Sequence, residues 1–572
     1  MQDRLSRIES QLQTITAQLG DLERRLAALE GRGPAEAGAS VEPGAAATPV
    51  PDLATTARRL DAASALTFIG RTLVVLAGAY LLRALTDSGT LAPRVGVAVG
   101  MAYALTWIVM ADREGARGRR GSAAFHGLAF ALIGLPLLFE ATLRFKFLST
   151  TASAASLTAF AAVSLAAAWR QRMRGLAWIV TLGVLAITTV IMTLTGEVGP
   201  FAIGLVLLGV ATLWFGYVLD WVTLRWPVAL VTDLAVFALT LRAVNPHNVD
   251  TPATALAVQL LLLTLYLGSF ATRTLFLNRD IIPFEIAQSV AALTVGLGGA
   301  AYLTVSTGVG ATPLGLASLV LGLAAYAVAI VFVERRQRRR RNFHFYAAVA
   351  LVFTMTGCAL VLPVAPLALA WAACALVATA AGRSLNSLTL KSHAVVYAIA
   401  AAMVSQLLPH AAHGLGAPLA QPWPAVPLSA VLVLVATAVC AWTLIAGGPG
   451  PHASRLSRTP GFLLLTLSVG GVMGVALAWT APVIAGSSPD APGIIATLRT
   501  AWLVVATLAL ARAARSPLIL EAGWLVYPLL VVTGVKFLFE DFRASRPATL
   551  FVAFALYGAA LILAPRLRKR AT

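Results

Sequence analysis

Apolar runs of about 20 residues recur from residue 64 to residue 565, separated by short polar loops, and about eighteen can be counted. That length matches the roughly 20 residues a helix needs to cross a bilayer core. Helices are the form open to an uninterrupted apolar run, because backbone groups cannot go unpaired in lipid. The runs fall at about 64–86, 92–111, 123–142, 152–169, 175–194, 199–218, 226–244, 253–272, 283–305, 312–333, 343–362, 364–381, 392–408, 427–446, 461–484, 492–512, 517–536 and 547–565. The pattern predicts an all-α fold, a polytopic transmembrane bundle.

The first thirty residues follow a different rule. Leu5, Ile8, Leu12, Ile15, Leu19, Leu22, Leu26 and Leu29 repeat at spacings of three and four, the seam of a short coiled coil. In a parallel pair Arg4 would face Glu9 of the neighbouring chain and Arg25 would face Glu30, which predicts self-association through this helix. The other reading of the same segment is a solitary amphipathic helix on the membrane surface. The stretch from Gly31 to Pro51 is rich in Ala, Gly and Pro and has no apolar period, as in a flexible linker. The expected organisation is a cytoplasmic coiled coil (1–30), a linker (31–60), a multi-spanning membrane domain (61–566) and a basic tail (567–572).

Composition agrees with a membrane protein, since only 12% of the 572 residues are charged, about half the share in soluble domains. The net charge of +19 lies mostly in alternate loops: Arg113 to Arg120, Arg170 to Arg174, Arg225, Arg273 with Arg279, Arg335 to Arg341, Arg383 with Lys391, Arg455 with Arg458, and Arg512 with Arg515. Intervening loops such as Thr195 to Gly199, Ser306 to Ala311 and Gly486 to Gly493 carry none. Charge therefore records topology rather than nucleic-acid binding, and the positive-inside rule places both termini in the cytoplasm. The polar first sixty residues show no cleavable signal pattern.

Ionisable residues inside spans cost at least about 2.5–3.5 kcal/mol at mid-depth, so they are the first candidates for function. Arg71, Asp233 and Arg499 lie two turns or more inside their spans, and the economical expectation is that Asp233 pairs with Arg71 or Arg499. A second candidate set, at the outer face, comprises Arg83, Asp87, Arg94, Glu140, Lys536, Glu540 and Asp541. Within it, Arg83 with Asp87 and Lys536 with Glu540 and Asp541 put base and acid about one helical turn apart, a possible internal duplication. Glu285 and Glu521 stand at helix starts, where the dipole accommodates them, and Arg242 can snorkel outward. Cys358, Cys374 and Cys440 read as small apolar packing.

Catalytic signatures are missing: no HExxH, GxSxG, GxxxxGK or paired CxxC occurs, so no enzyme class is indicated and no cofactor is implied. His410 and His413 lie three apart in a Pro-rich outer loop and form a weak metal pair for want of a third ligand. Trp423 in that loop reads as an interfacial anchor or part of a short re-entrant lid.

The hairpin from Gly70-Arg71-Thr72 through Tyr80-Leu81-Leu82-Arg83-Ala84-Leu85-Thr86-Asp87-Ser88-Gly89 to Leu91-Ala92-Pro93-Arg94-Val95 resembles the opening of a large family of bacterial polytopic membrane proteins of unknown function. The stretch from His126-Gly127-Leu128 to Glu140-Ala141 and the segment Thr533 to Asp541 are similar to further parts of that family. The outline of coiled coil, Pro/Ala linker and many spans is shared too. A Trp followed by an acid is common in the family's spans, whereas here Ala372 and Ala373 follow Trp371. The resemblance implies a cell-envelope protein of the bacterial cytoplasmic (inner) membrane and supplies no activity.

Three function classes fit these observations. A transporter or carrier of lipids or envelope precursors leads, because so many spans exceed what an anchor requires. A non-enzymatic envelope scaffold follows, and third is an intramembrane enzyme on lipid-linked substrates, which needs Arg83, Asp87, Arg94, Glu140 and His410 to cluster. Membrane lipids are the expected partners.

Overall fold

The computed structural model describes residue 70, residues 73–86 apart from 76, 79 and 82, and residues 88–568 apart from 246, 336–339, 417–422, 424, 448–453, 487, 489, 517 and 518. The chain divides into two units, Met1–Arg71 and Thr72–Thr572. The expected coiled coil, the linker, Arg71 and Asp87 lie outside the described residues, as does about half of the expected first span.

Described residues form helices and no strand. They are α1 (Pro93–Ala116), α2 (Arg120–Leu143), α3 (Thr150–Arg170), α4 (Arg174–Thr195), α5 (Gly199–Val218), α6 (Arg225–Ala243), α7 (Pro252–Phe276), α8 (Pro283–Thr307), α9 (Ala311–Arg335), α10 (Arg340–Val361), α11 (Val364–Ser384), α12 (Leu388–Val404), α13 (Leu407–Gly416), α14 (Leu428–Ala446), α15 (Arg455–Ala485), α16 (Ala491–Ala513), α17 (Leu520–Ala544) and α18 (Pro547–Arg568). Sixteen are long and apolar enough to cross a membrane, and each matches an expected run. Their starts follow local rules. Proline opens α1, α7, α8 and α18, where its missing N–H costs nothing. The Ser149 and Thr251 side chains accept the Ala152 and Thr254 amides at 3.2 Å to cap α3 and α7.

The expected span 392–408 is the exception. It breaks at Gln406, whose φ is +68°, and α12 and α13 meet at a 69° bend. The two pieces pass the length and apolarity requirement for a span only together. Near the end of α11, Arg383 lies against Gly447 at the end of α14, where a Cβ would stand 2.3 Å from its Cζ. Beyond α13, Trp423 packs with Ala481, Ala485 and Ile495 near the α15–α16 connection. α13 can lie so close to α15 because Gly474 has no side chain; a Cβ there would be 2.4 Å from the Ala411 Cα.

Burial shows which faces meet lipid. On α6, Val228, Thr232, Ala235, Val236 and Leu239 are buried, while Trp226, Leu230, Leu234, Phe237 and Leu241 are exposed at helical spacing. An apolar stripe of that kind left uncovered by protein is the surface a bilayer covers. The core is continuous from α1 to α10, with further clusters among α10–α15 and α15–α18.

Candidate functional site

Three polar centres interrupt this apolar packing, and π-helical segments adjoin all of them. Such turns are rare and frequent at functional sites.

The first joins α5, α6, α7 and α8 at the end bearing basic loops. Glu285, fully buried in the first turn of α8, accepts two hydrogen bonds from Arg273 Nη1, at 3.1 and 3.0 Å. It also takes the Tyr217 hydroxyl and, at 2.9 Å, the Ile282 amide that opens its helix. Arg273 sits in the π-helical turn Thr272–Phe276 and donates to the Asp280 carbonyl at 2.8 Å. Arg225 lies beside this group, its Cζ 4.4 Å from the Phe284 ring centroid. Glu285 thus does what its place at a helix start predicts and, in addition, binds three helices together. Glu521, the other helix-start acid, is also an inter-helix partner, 2.8 Å from Arg458 with both side chains buried.

The second lies at mid-span. Asp233 on α6 accepts from Gln288 Nε2 on α8 at 3.0 Å and has no basic partner among the described residues. Gln259 on α7 donates to Thr240 on α6 at 2.6 Å, and the hydroxyls of Tyr266 on α7 and Ser289 on α8 are buried without hydrogen-bond partners. The π-helical stretch Ala292–Gly298 of α8 follows directly.

The third joins α16 and α17 at the opposite end. Arg499, 2% exposed, pairs with Glu540 at 2.8 Å. Of the two partners expected for Asp233, Arg499 is instead paired with Glu540, and Arg71 lies outside the described residues. Lys536 Nζ reaches Asp541 Oδ2 at 2.7 Å, Thr500 Oγ1 at 2.8 Å and the Ala496 carbonyl. Thr500 donates to the same Asp541 oxygen at 2.9 Å. The π-helical turn Phe537–Asp541 explains the choice of partner. An α-helical register would set Lys536 over Glu540, but the wider i→i+5 turn sets it over Asp541 and frees Glu540 for Arg499. Asp541 is fully buried and its Oδ1 has no hydrogen-bond partner. The Trp423 ring centroid is 5.9 Å from the Arg499 Cζ.

The remaining outer-face candidates do not join this centre. Arg83 pairs with Glu140 at 3.0 Å. Arg94 is exposed at the start of α1 and lines a recess with no other charged residue. His410 has its ring nitrogens against the Gln406 and Ala425 carbonyls, at 2.6 and 3.2 Å, so both are engaged away from a metal. His413 packs edge-on to Trp423. No group of three potential metal ligands occurs among the described residues. Arg242 does not simply snorkel: it pairs with Asp250 at 3.1 Å and donates to the Gly196 carbonyl. Asp250 in turn accepts the Val198 and Gly199 amides at the start of α5.

The recess beneath Arg94 is a cavity of about 370 Å³ between α1, α2 and α3. Its walls are Val97, Met101, Leu105, Leu138, Val163 and the stacked pair Phe130 and Phe160, whose rings are 4.1 Å apart. Ala98 and Ala159 form its exposed margin. None of the polar-centre residues Asp233, Glu285, Arg499, Lys536 or Asp541 lines it. Sequence patterning gave no sign of this recess, because its wall is made of residues that look like ordinary span positions. No family model, curated protein or solved structure matches the chain.

Proposed function

We propose that this polytopic membrane protein is a carrier of lipids or lipid-linked envelope precursors in a bacterial cytoplasmic membrane, with both termini on the cytoplasmic side. The observation that carries the reading is the recess between α1, α2 and α3. Its volume of about 370 Å³ falls within the roughly 300–1,000 Å³ of small-molecule sites. Its walls suit an acyl or isoprenoid chain, and Arg94 stands at the end where an anionic head group would lie. Arg273, Arg499 and Lys536 in the polar centres already have carboxylate partners, although the buried Arg225 beside the first of them has none among the described residues, and this pairing favours a lateral lipid site over a charged central pathway. The family resemblance supports the envelope setting and leaves the cargo open.

Protein-dependent transfer of a fluorescent phospholipid between leaflets or vesicles, measured in proteoliposomes, tests the proposal. Ala159→Trp fills the recess from its exposed margin and is expected to cut transfer by about tenfold or more, the factor that 1.4 kcal/mol represents. Transfer no faster than in protein-free vesicles, or unchanged in the variant, contradicts the proposal.

A scaffold is the second reading. It is favoured by the inter-helix ion pairs, which fix helix register, and by the leucine seam of residues 1–30. Removing residues 1–31 leaves a carrier's transfer intact but breaks up a scaffold's self-association, so the two readings separate in one variant.

A further inference from the structure

We propose that the cleft between α11 and α14, at the end bearing basic loops, is a binding site for one anionic phospholipid whose phosphate is held by Arg383. The cleft has a volume of about 440 Å³ and lies in a different helix cluster from the recess beneath Arg94. The inference stands independently of carriage through that recess.

Three features of the cleft point to this occupant. Its inner part is apolar, formed by Leu376, Ala380 and Val439, whereas its end carries Arg383 with the hydroxyl residues Ser384 and Thr443. That gradient from hydrocarbon to charge follows the lipid itself. Arg383 has no carboxylate partner among the described residues, in contrast to Arg273, Arg458, Arg499 and Lys536, each of which is paired. Its exposed guanidinium lies against the end of α14, where a Cβ on Gly447 would approach its Nε to 2.6 Å. A guanidinium beside a helix C-terminus and without an acid can take an anion from outside the chain. Thr379 adds the third feature. It is 3% exposed and lines the cleft, and its hydroxyl has beside it only the weakly accepting sulfur of Cys440, so an ester oxygen of a lipid in the cleft would be a stronger partner.

Basic pockets between helices at the cytoplasmic side of membrane proteins take anionic head groups, and the loop carrying Arg383 and Lys391 is one of the basic ones. Phosphatidylcholine carries a phosphate too, but its ammonium group would be brought toward Arg383. Phosphatidylglycerol or cardiolipin presents the phosphate without that penalty.

The test is native mass spectrometry of the full-length protein released from nanodiscs containing phosphatidylcholine with a minor fraction of phosphatidylglycerol. Wild type is expected to retain one more phosphatidylglycerol than Arg383→Gln, with retention in the variant reduced about tenfold or more. Ala380→Trp, which fills the cleft at an exposed position without touching the charge, is expected to lose the same lipid. Equal retention by all three proteins overturns the proposal. So does retention of phosphatidylcholine to the same extent, which would make the cleft a general acyl-chain groove. Loss of the bound lipid on adding millimolar inorganic phosphate would also overturn it, identifying free phosphate as the occupant. Circular dichroism of both variants in the same micelles verifies that helix content is kept.

Discussion

The centres around Glu285 and Asp541 are made from similar parts at opposite ends of the bundle: a π-helical turn, a buried carboxylate, a cation from the same or a neighbouring helix, and a hydroxyl. They differ in how the carboxylate is used. Both oxygens of Glu285 are committed, to Arg273, Tyr217 and the Ile282 amide. Asp541 places Lys536 and Thr500 on one oxygen and leaves the other without a partner. A saturated centre has one low-energy arrangement and locks the register of α5, α7 and α8. A centre with an acceptor in reserve can trade partners when a helix moves, and the wide turn of α17 is the element that would move.

Removing Glu285 is expected to have the largest effect, since Glu285→Ala strands the Arg273 guanidinium in the protein interior. The loss should reach the upper part of the ~3–5 kcal/mol that follows from breaking a buried pair, read as a shift in thermal or chemical unfolding in detergent. Lys536→Met should cost less, about 3 kcal/mol, because Thr500 still serves Asp541 and the spare oxygen gives room to rearrange. Equal losses would erase the contrast between the two centres. Asp233→Asn is the smallest expected change, within about 1 kcal/mol, because an amide can keep a hydrogen bond with Gln288. Under the lipid-carrier account its transfer activity stays within about twofold of wild type, roughly the spread of a neutral substitution. Loss of transfer with the fold intact would move the working site from the recess to mid-span.

How far the sequence reveals these features depends on what sets them. Span positions are legible because a 20-residue apolar run is a local signal, and all sixteen described spanning helices coincide with such runs. The break between α12 and α13 is not, because Ser405 and Gln406 are too short a polar interruption to end an apolar run, and the left-handed φ of Gln406 leaves no further mark on hydropathy. Glu285 was legible as a helix-start acid from Pro283, but its partners Arg273 and Tyr217 are ordinary interfacial residues until the helices assemble. Base–acid spacing sets Lys536 with both Glu540 and Asp541; that it takes Asp541 depends on the π-helical turn, which the sequence pattern does not show. Arg499 is buried, as its depth in the span suggests, whereas Asp233 is half-buried. Pairing them with each other failed because hydropathy orders helices along the chain and says nothing of which become neighbours. Arg94 is exposed at the start of α1, whereas the recess it overlooks arises from the mutual packing of three helices.

The most direct measurement is photo-crosslinking in native-like bilayers, with a photoreactive group at residue 98 or 159 and mass spectrometric identification of the attached lipid. The account predicts that lipid attaches at both positions, that its chain is crosslinked between α1 and α3, and that Arg94→Gln shifts the captured lipids from anionic to zwitterionic. Capture equal to that at a lipid-facing control such as residue 234, with the same lipid composition in wild type and Arg94→Gln, would contradict it.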